Sequence, residues 1–327
     1  MSQDILVGLQ HGDEGKGKIS KCLADSNNYD CFVRFNGGPN AGHTIIYNEE
    51  EIVIHQLPCG VLHNKPCLIS TDCVVDINKL INEIILLESK GFNNIRKHIH
   101  ISKFCHVITD ENIQQDKDNN TVGTTCSGIG PTYSNKMLRT GLRITERSEY
   151  YKLVEPFSYL QQFKNIFFEG AQGFELDINY GDYPYVTSSN CISNAIFLNG
   201  GDVNRKTRIF GVCKLYDTYV GAKHFGIEDE DLDNLGNIGN EYGSTTGRRR
   251  KCNWLNLKKL LQACKINNVT KIYINKCDII QKLGKFKLFD TNGNIQIFDS
   301  YVNMIIFIKE VLEPHYMVIF SGSKEKI

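Results

Sequence analysis

DILVGLQHGDEGKGKIS, residues 4–20, is the stretch on which the fold turns. Its first six residues form an apolar run of the length and composition of a buried strand. The run enters the glycine-rich segment GDEGKGK, and a helix is expected from near Ile19. Glycines let the backbone approach a ligand closely, and a helix N-terminus presents N–H groups to an anion. Lys16 and Lys18 are suited to neutralising phosphate oxygens, because cations at a helix start oppose its dipole unless an anion is present. The stretch is nevertheless not the common phosphate loop G-x-x-x-x-G-K-[ST], since no Ser or Thr follows a Gly-Lys pair. Asp13 also places a carboxylate where phosphate would repel it.

Outward from this stretch, short apolar runs alternate with helical patterns. Residues 31–35, 67–70, 98–102, 165–168, 208–213 and 271–275 read as further strands, continuous enough to be buried on both faces. Residues 77–90 carry an apolar stripe at Ile77, Leu80, Ile81, Ile84 and Ile85, with Asp76 as N-cap and Gly91 just past the end. Residues 254–265 give a second helix, and 286–299 a hairpin around Asn292-Gly293. Residues 110–121 and 228–240 are polar and acidic and read as solvated loops. The alternation predicts an α/β fold: one domain over 1–327, with a mostly parallel central sheet flanked by helices and a P-loop-NTPase-like nucleotide site.

The chain's 327 residues carry 37 basic and 37 acidic side chains, so no global field recruits nucleic acid or membrane. No apolar run has the length of a membrane span, and no secretory signal opens the chain. Twelve cysteines without a C-x-x-C pair read as thiols in a reducing compartment, so a cytoplasmic location is expected and a zinc site is not.

Five more segments have ligand-binding character: RFNGGPNAGHTI (34–45), the Gly- and hydroxyl-rich 122–143, FEGAQG with its continuation to 190, YGSTTGRRRK (242–251) and INKCD (274–278). Arginines beside a Gly-Thr loop are placed for clamping carboxylate or phosphate. INKCD ends a strand and matches the N-K-x-D pattern that reads guanine, its Asp accepting from N1–H and the 2-amino group. So many anion-binding segments imply several ligands held at once, as in an enzyme that joins substrates.

The sequence resembles the adenylosuccinate synthetase family. The residues that carry the resemblance are QHGDEGKGK (10–18), RFNGGPNAGHT (34–44), GTTCSGIGPTY (123–133), FEGAQG (168–173), YPYVTSSN (183–190), TTGRRR (245–250) and KCD (276–278). They follow the family's order and span almost the whole chain. The resemblance implies ligation of L-aspartate to IMP with GTP and Mg²⁺, through a 6-phosphoryl-IMP intermediate. Asp13 would be the base that takes the N1 proton and, with the Gly42 carbonyl, a Mg²⁺ ligand. His43 would act on the γ-phosphoryl group, and Gln172 would stabilise the activated purine.

The resemblance places IMP against Asp13, Glu14, Gly15 and Lys16 of the first loop and Asn40, Ala41, Gly42 and His43 of the second. Thr125, Gln172, Thr187 and Arg248 complete that site, and Arg139 would reach the IMP phosphate of a neighbouring subunit, which implies a homodimer. GTP would lie along Gly12, Asp13, Glu14, Gly15, Lys16, Gly17 and Lys18, and against Gly42, His43, Thr44 and Arg250. Its guanine would meet Lys276, Cys277 and Asp278 beside the Ser321-Gly322 turn. Aspartate would be held by the loop running Ser244, Thr245, Thr246, Gly247, Arg248, Arg249 and Arg250. The 36–44 and 242–250 loops are expected to close on these ligands.

The chain is shorter than the usual family member, and much of the missing part falls between Arg143 and Phe168, where the common form carries a helical insert. Ser127 stands where the family usually has an arginine, Cys126 where it has glycine, and Tyr219 replaces an arginine in YDTYVG (216–221). These changes bear mainly on the aspartate pocket. Three other readings are open. A phage-type branch joins aspartate to dGMP but typically carries Ser or Gly in place of the catalytic Asp, so Asp13 favours IMP. A guanine-nucleotide-binding regulatory protein without ligase activity would not need 183–190 or the arginine loop. Nucleic-acid binding rests on the RRRK run alone.

Overall fold

The computed structural model describes residues 1–48, 50–145, 148–243 and 247–323. Its centre is a nine-stranded sheet of β1 (Ser2–Gly8), β2 (Cys31–Arg34), β3 (Cys67–Ile69), β4 (Ile99–Ser102), β5 (Lys152–Val154), β6 (Asn165–Glu169), β7 (Lys206–Lys214), β8 (Lys271–Asn275) and β9 (Met317–Phe320). Their order is β9-β8-β7-β1-β6-β2-β3-β4-β5, and every neighbouring pair is parallel. Successive side chains of a strand point to opposite faces. Ile5 and Val7 therefore enter one hydrophobic cluster and Leu6 the other, and the sheet is covered on both sides.

The seven runs read as strands all lie in this sheet. The two strands without a clear signal, β5 and β9, are its edges. They are short, and Met317 is 60% exposed, so neither needs the continuous apolar run of a central strand.

The helices are α1 (Lys16–Asp25), α2 (Ile77–Ser89), α3 (Asp110–Asp118), α4 (Ile129–Leu138), α5 (Pro156–Leu160), α6 (Glu230–Ile238), α7 (Leu257–Asn267), α8 (Cys277–Leu283) and α9 (Tyr301–Leu312). Asp76 caps α2 by accepting from Lys79 N, and Gly91 follows its end at φ 91°, as expected. α7 starts at Leu257 rather than 254. Lys251–Trp254 pairs antiparallel with Tyr216–Tyr219, and Asn256 is the cap. The hairpin around Asn292-Gly293 forms between Lys287–Phe289 and Ile295–Ile297.

Two segments read as solvated loops are helices, which corrects that expectation. α3 opens with a capping box between Thr109 and Asn112, and buried Asp116 ties its last turn to Gly128 N and Thr124 Oγ1. α6 is capped by Asp229 and buries Leu232 and Leu235. Acidic residues in a first turn favour the helix dipole, so here negative charge marked helix starts rather than loops.

Among the described residues no helix is long and apolar enough to cross a membrane. All twelve cysteines are free thiols, and ten are buried.

The chain runs from β1 to β2, β3, β4 and β5 on one side, returns to β6 between β1 and β2, then crosses to β7, β8 and β9. Connections thus diverge at β1 and β6. The glycine-rich loops after β1, β2 and β6 and the N-K-C-D segment at the end of β8 leave the carboxyl ends of strands around this point, where open parallel sheets place their ligands, whereas the segment 122–143 follows α3 and that starting at 242 follows α6.

Candidate active site

A cavity of about 820 Å³ opens at these carboxyl ends. Of the expected residues, Gly12, Asp13, Lys16, Asn40, Ala41, Gly42, His43, Thr125, Gln172, Thr187 and Arg248 border it. Five segments distant in sequence meet there.

The first loop turns through three left-handed residues, Gly12 (φ 86°), Asp13 (φ 58°) and Gly15 (φ 89°). Aspartate is among the few residues that tolerate this region. α1 begins directly afterwards, at Lys16 rather than near Ile19. Glu14 is buried, accepting from Gln10 N and Gly12 N and pairing with Lys16 at 2.6 Å. Its carboxylate therefore fastens the loop, and only its main chain is left for a ligand. Lys16 also donates to Gln172 O. Lys18 donates to Ser321 Oγ (3.1 Å) and Gly322 O (2.7 Å). The two ammonium groups expected at phosphate are thus engaged by the protein itself. Lys18 ties α1 to the C-terminal turn, while Gly17 packs so closely on the second loop that a Cβ there would lie 2.6 Å from Thr44 O.

Asp13 faces Arg250, whose Nε is 2.7 Å from Oδ2. The same guanidinium reaches Glu241 Oε2 at 2.5 Å. Glu241 is fully buried and also meets Lys214 (3.3 Å), the Tyr216 hydroxyl and Lys276 (3.9 Å). Burial alone would raise its carboxyl, but Lys214, then Arg250 and Lys276, hold it down at about 2. Burial pushes the Lys276 ammonium down, with Glu241 opposing. One buried carboxylate thereby connects the arginine loop with the N-K-C-D segment.

His43 is buried at the head of the hairpin strand His43–Tyr47, with Nδ1 on Glu169 Oε1 and Nε2 3.0 Å from Arg34 Nη1. Arg34 can only donate, so Nε2 accepts and Nδ1 donates. Burial, then Arg34, push the imidazole down to about 4, against the pull of Glu169. Glu169 also accepts from Cys59 N (2.8 Å) and lies 3.3 Å from Arg34 Nη2. Burial would raise it, but Arg34 and the His43 hydrogen bond bring it to about 2.

Gln172 stands at φ 53°, and its buried Oε1 has no hydrogen-bond partner among the described residues. Such an orphaned acceptor beside a cleft suits a ligand donor. A Cβ at Gly37 would lie 2.8 Å from that oxygen, which accounts for the glycine there.

The N-K-C-D segment opens α8. Asp278 accepts from Ser323 N (2.7 Å) and Ser323 Oγ (2.8 Å), and these bonds hold it below the usual carboxylate range against burial. Asn275 bonds both Glu14 O and Ser321 Oγ, joining this segment to the first loop. Cys277 is buried, its thiol directed at Ile274 O.

Opposite, His11 and Tyr219 form a wall. His11 Nδ1 meets Asp217 at 2.9 Å, and its ring packs edge-on against Tyr219 and Phe225. Burial pushes the Tyr219 phenol up, with Tyr185 and Asp182 adding and Arg248 opposing, and the residue borders the cavity.

The expected Glu14, Gly15, Gly17, Lys18, Thr44, Arg139, Gly247, Arg249, Arg250, Lys276, Cys277, Asp278, Ser321 and Gly322 do not border the cavity, although Arg250 meets its wall through Asp13. Arg249 turns outward to Asp233 (3.3 Å) and Asn237 (3.1 Å) of α6, because adjacent residues of an extended segment point to opposite sides; this corrects its placement at aspartate. Arg139 is exposed at the C-terminus of α4. Ser244, Thr245 and Thr246 lie outside the described residues. Reading the sequence singled out neither Glu169, Arg34 and Glu241 nor His11. Glu169 lies inside FEGAQG and Arg34 opens RFNGG, so their segments were legible, while the pairing of each charge was not.

The adenylosuccinate synthetase family model matches residues 5–162 and 157–299, the two matched segments meeting at 157–162. The adenylosuccinate synthetase of Thermodesulfovibrio yellowstonii is 35% identical over 88% of this chain and 80% of that protein. That of Fusobacterium nucleatum is 36% identical over 90% and 83%. Among solved structures, the fully ligated adenylosuccinate synthetase of Plasmodium falciparum superposes with a TM-score of 0.84 at 27% identity, covering 97% of this chain and 96% of that one. The cyanophage S-2L succinoaminodeoxyadenylate synthetase bound to dGMP and dATP gives 0.79 at 20% identity, covering 98% and 92%, a likeness of fold.

Proposed function

The chain belongs to the adenylosuccinate synthetase family of ligases, and we propose that its cleft joins L-aspartate to IMP with GTP as phosphoryl donor. The observation that carries this reading is the convergence on one cavity of Asp13, Asn40, His43, Gln172, Thr187 and Arg248. The 6-oxygen of IMP leaves poorly, so it must be phosphorylated before an amine displaces it. Asp13 takes the N1 proton, which makes O6 nucleophilic towards the γ-phosphorus of GTP. Gln172 stabilises the activated purine by donating its amide N–H towards the 6-oxygen, where charge develops. The amino group of aspartate then attacks C6, and phosphate departs.

The resting contacts must exchange for this to happen. Arg250 leaves Asp13 for the GTP phosphates, with Glu241 keeping hold of its other edge. His43 leaves Glu169 for a phosphoryl oxygen. Arg34 and the Cys59 N–H remain on Glu169, so no buried charge is stranded.

Asp13 and the Gly42 carbonyl border the same cleft and are hard oxygen donors of the kind Mg²⁺ selects, so these residues would hold that ion. Its chemistry when bound is to neutralise phosphate charge.

Residues 1–327 are read as one domain, with the nine-stranded sheet spanning β1 to β9. Arg139 is read as reaching a second subunit, since it is exposed beside exposed Met137 and Leu138. The family and the twelve free thiols support a cytoplasmic setting.

Phosphate release by the purified protein is expected to require GTP, IMP and aspartate together. A preference for dGMP over IMP would move the chain to the phage-type reaction, and release with GTP alone would make it a switch. Separately, Asp278→Asn is expected to lower kcat/KM for GTP roughly 10- to 100-fold, because an amide presents a donor to the guanine N1–H. The KM for IMP should stay within twofold. Unaltered GTP use would remove the guanine role from Asp278.

A further inference from the structure

Ligation of aspartate to IMP crowds anions into one cleft: two phosphorylated nucleotides and an amino acid with two carboxylates. Among the described residues bordering the cavity, the only lysine and arginine side chains are Lys16 and Arg248. Lys16 is already neutralised by Glu14. Arg248 bonds Gly123 O at 3.0 Å.

A further cation lies just behind the wall. Lys223 is 7% exposed, with its ammonium 4.8 Å from the centre of the Tyr219 ring and 5.7 Å from that of Phe225. It donates to His11 Nε2 at 3.2 Å and to Asp182 Oδ2 at 3.1 Å. Asp217 fixes the His11 ring from the other side, so the acceptor nitrogen is held towards the ammonium. His11 and Tyr219 border the cavity, as do Tyr183, Pro184 and Tyr185, which directly follow Asp182. The segment also lies at the Arg248 end. Ala222 N bonds Val122 O at 3.2 Å, next to the Gly123 that Arg248 holds.

The carboxylate partner of this buried cation is itself in water. The Asp182 side chain is 59% exposed against 8% for Lys223. An ion pair with one exposed member is weak. A cation resting on aromatic rings in a partly desolvated wall attracts an anion brought to its protected side more strongly.

We propose that Lys223, aimed by His11 and stacked on Tyr219, is a second carboxylate anchor for the amino-acid substrate, with Asp182 as the resting counter-ion that the substrate displaces. This assignment rests on the ligase reading of the cleft. Arg248 takes one carboxylate of aspartate and Lys223 the other. The wall thereby selects a dicarboxylate.

Steady-state kinetics on the full chain test this, with KM measured for each of the three substrates. Lys223→Met is expected to raise KM for L-aspartate at least tenfold, with those for IMP and GTP within twofold, and Lys223→Arg should restore most of the loss. Asp182→Asn removes the internal competitor and should lower KM for L-aspartate severalfold. The exposed position of Asp182 keeps that variant folded, so it decides the matter if Lys223→Met does not fold. An unchanged or raised aspartate KM in Asp182→Asn overturns the proposal, as does a parallel rise of all three values in a folded Lys223→Met. If the wild-type protein shows no aspartate-dependent turnover, the ligase reading falls and the anchor with it. Wild-type turnover with an aspartate KM insensitive to both positions sinks the anchor alone.

Discussion

Asp13→Asn is expected to lower turnover by about three to four orders of magnitude, in the range by which a positioned general base accelerates proton transfer. Asparagine is the informative replacement because residue 13 stands at φ 58°. Asn tolerates that region, whereas alanine would add backbone strain and blur the reading. The amide keeps the shape of the carboxylate but cannot take a proton at neutral pH and is a poor Mg²⁺ ligand. Loss of the Arg250 contact should matter little to the fold. Asp13 is partly exposed, and Arg250 retains Glu241. The melting temperature should therefore stay within about 2 °C of wild type, less than a 1 kcal/mol change produces in a domain of moderate size. Turnover within tenfold of wild type would show that the proton goes elsewhere.

His43→Asn should reduce kcat by roughly 10²- to 10³-fold, the usual effect of removing one preorganised donor to developing charge. Its second signature is in stability. His43 titrates at about 4 in the folded chain against an ordinary 6.5, so the unfolded chain binds more protons between those values. Stability from this group is complete above pH 6.5 and is lost as pH falls through 6.5 towards 4, on the order of a few kcal/mol. Glu169 and Glu241, both at about 2, have the same sign over a lower window: full above 4.5, lost as pH falls towards 2. Wild-type melting temperature should thus begin to fall below pH 6.5 and keep falling through pH 4. In His43→Asn the upper part of that decline should become shallower, the remainder coming from His63, His98, His100 and His106, which burial also pushes down, while the lower part stays, since Arg34 and Cys59 N–H still hold Glu169. A wild-type curve level between pH 6.5 and 5 would contradict burial of a neutral His43.

Much of this was legible in the chain. A central parallel strand is apolar on both faces, so each announced itself as a continuous run. The glycine-rich turns were legible because positive φ and close backbone approach restrict the residue type, as at Gly12, Gly15 and Gly37. Edge strands escaped because half their surface is wet. α3 and α6 escaped because acidic, capped helix starts have the composition of loops.

The fold class and the family could be read from the residues alone, as could the loops 12–16, 40–43 and 123–125 that border the cavity, because backbone constraints and residue chemistry are local and leave local marks. Only the tertiary structure decided what each charge faces. Glu14 and Lys16 neutralise each other, Lys18 is tied to the C-terminal turn, Arg249 points outward, and Glu241 gathers Lys214, Arg250 and Lys276. The reason is physical. A Coulomb interaction depends on distance and burial between residues as far apart as Asp13 and Arg250, and neither quantity is written in the order of the chain.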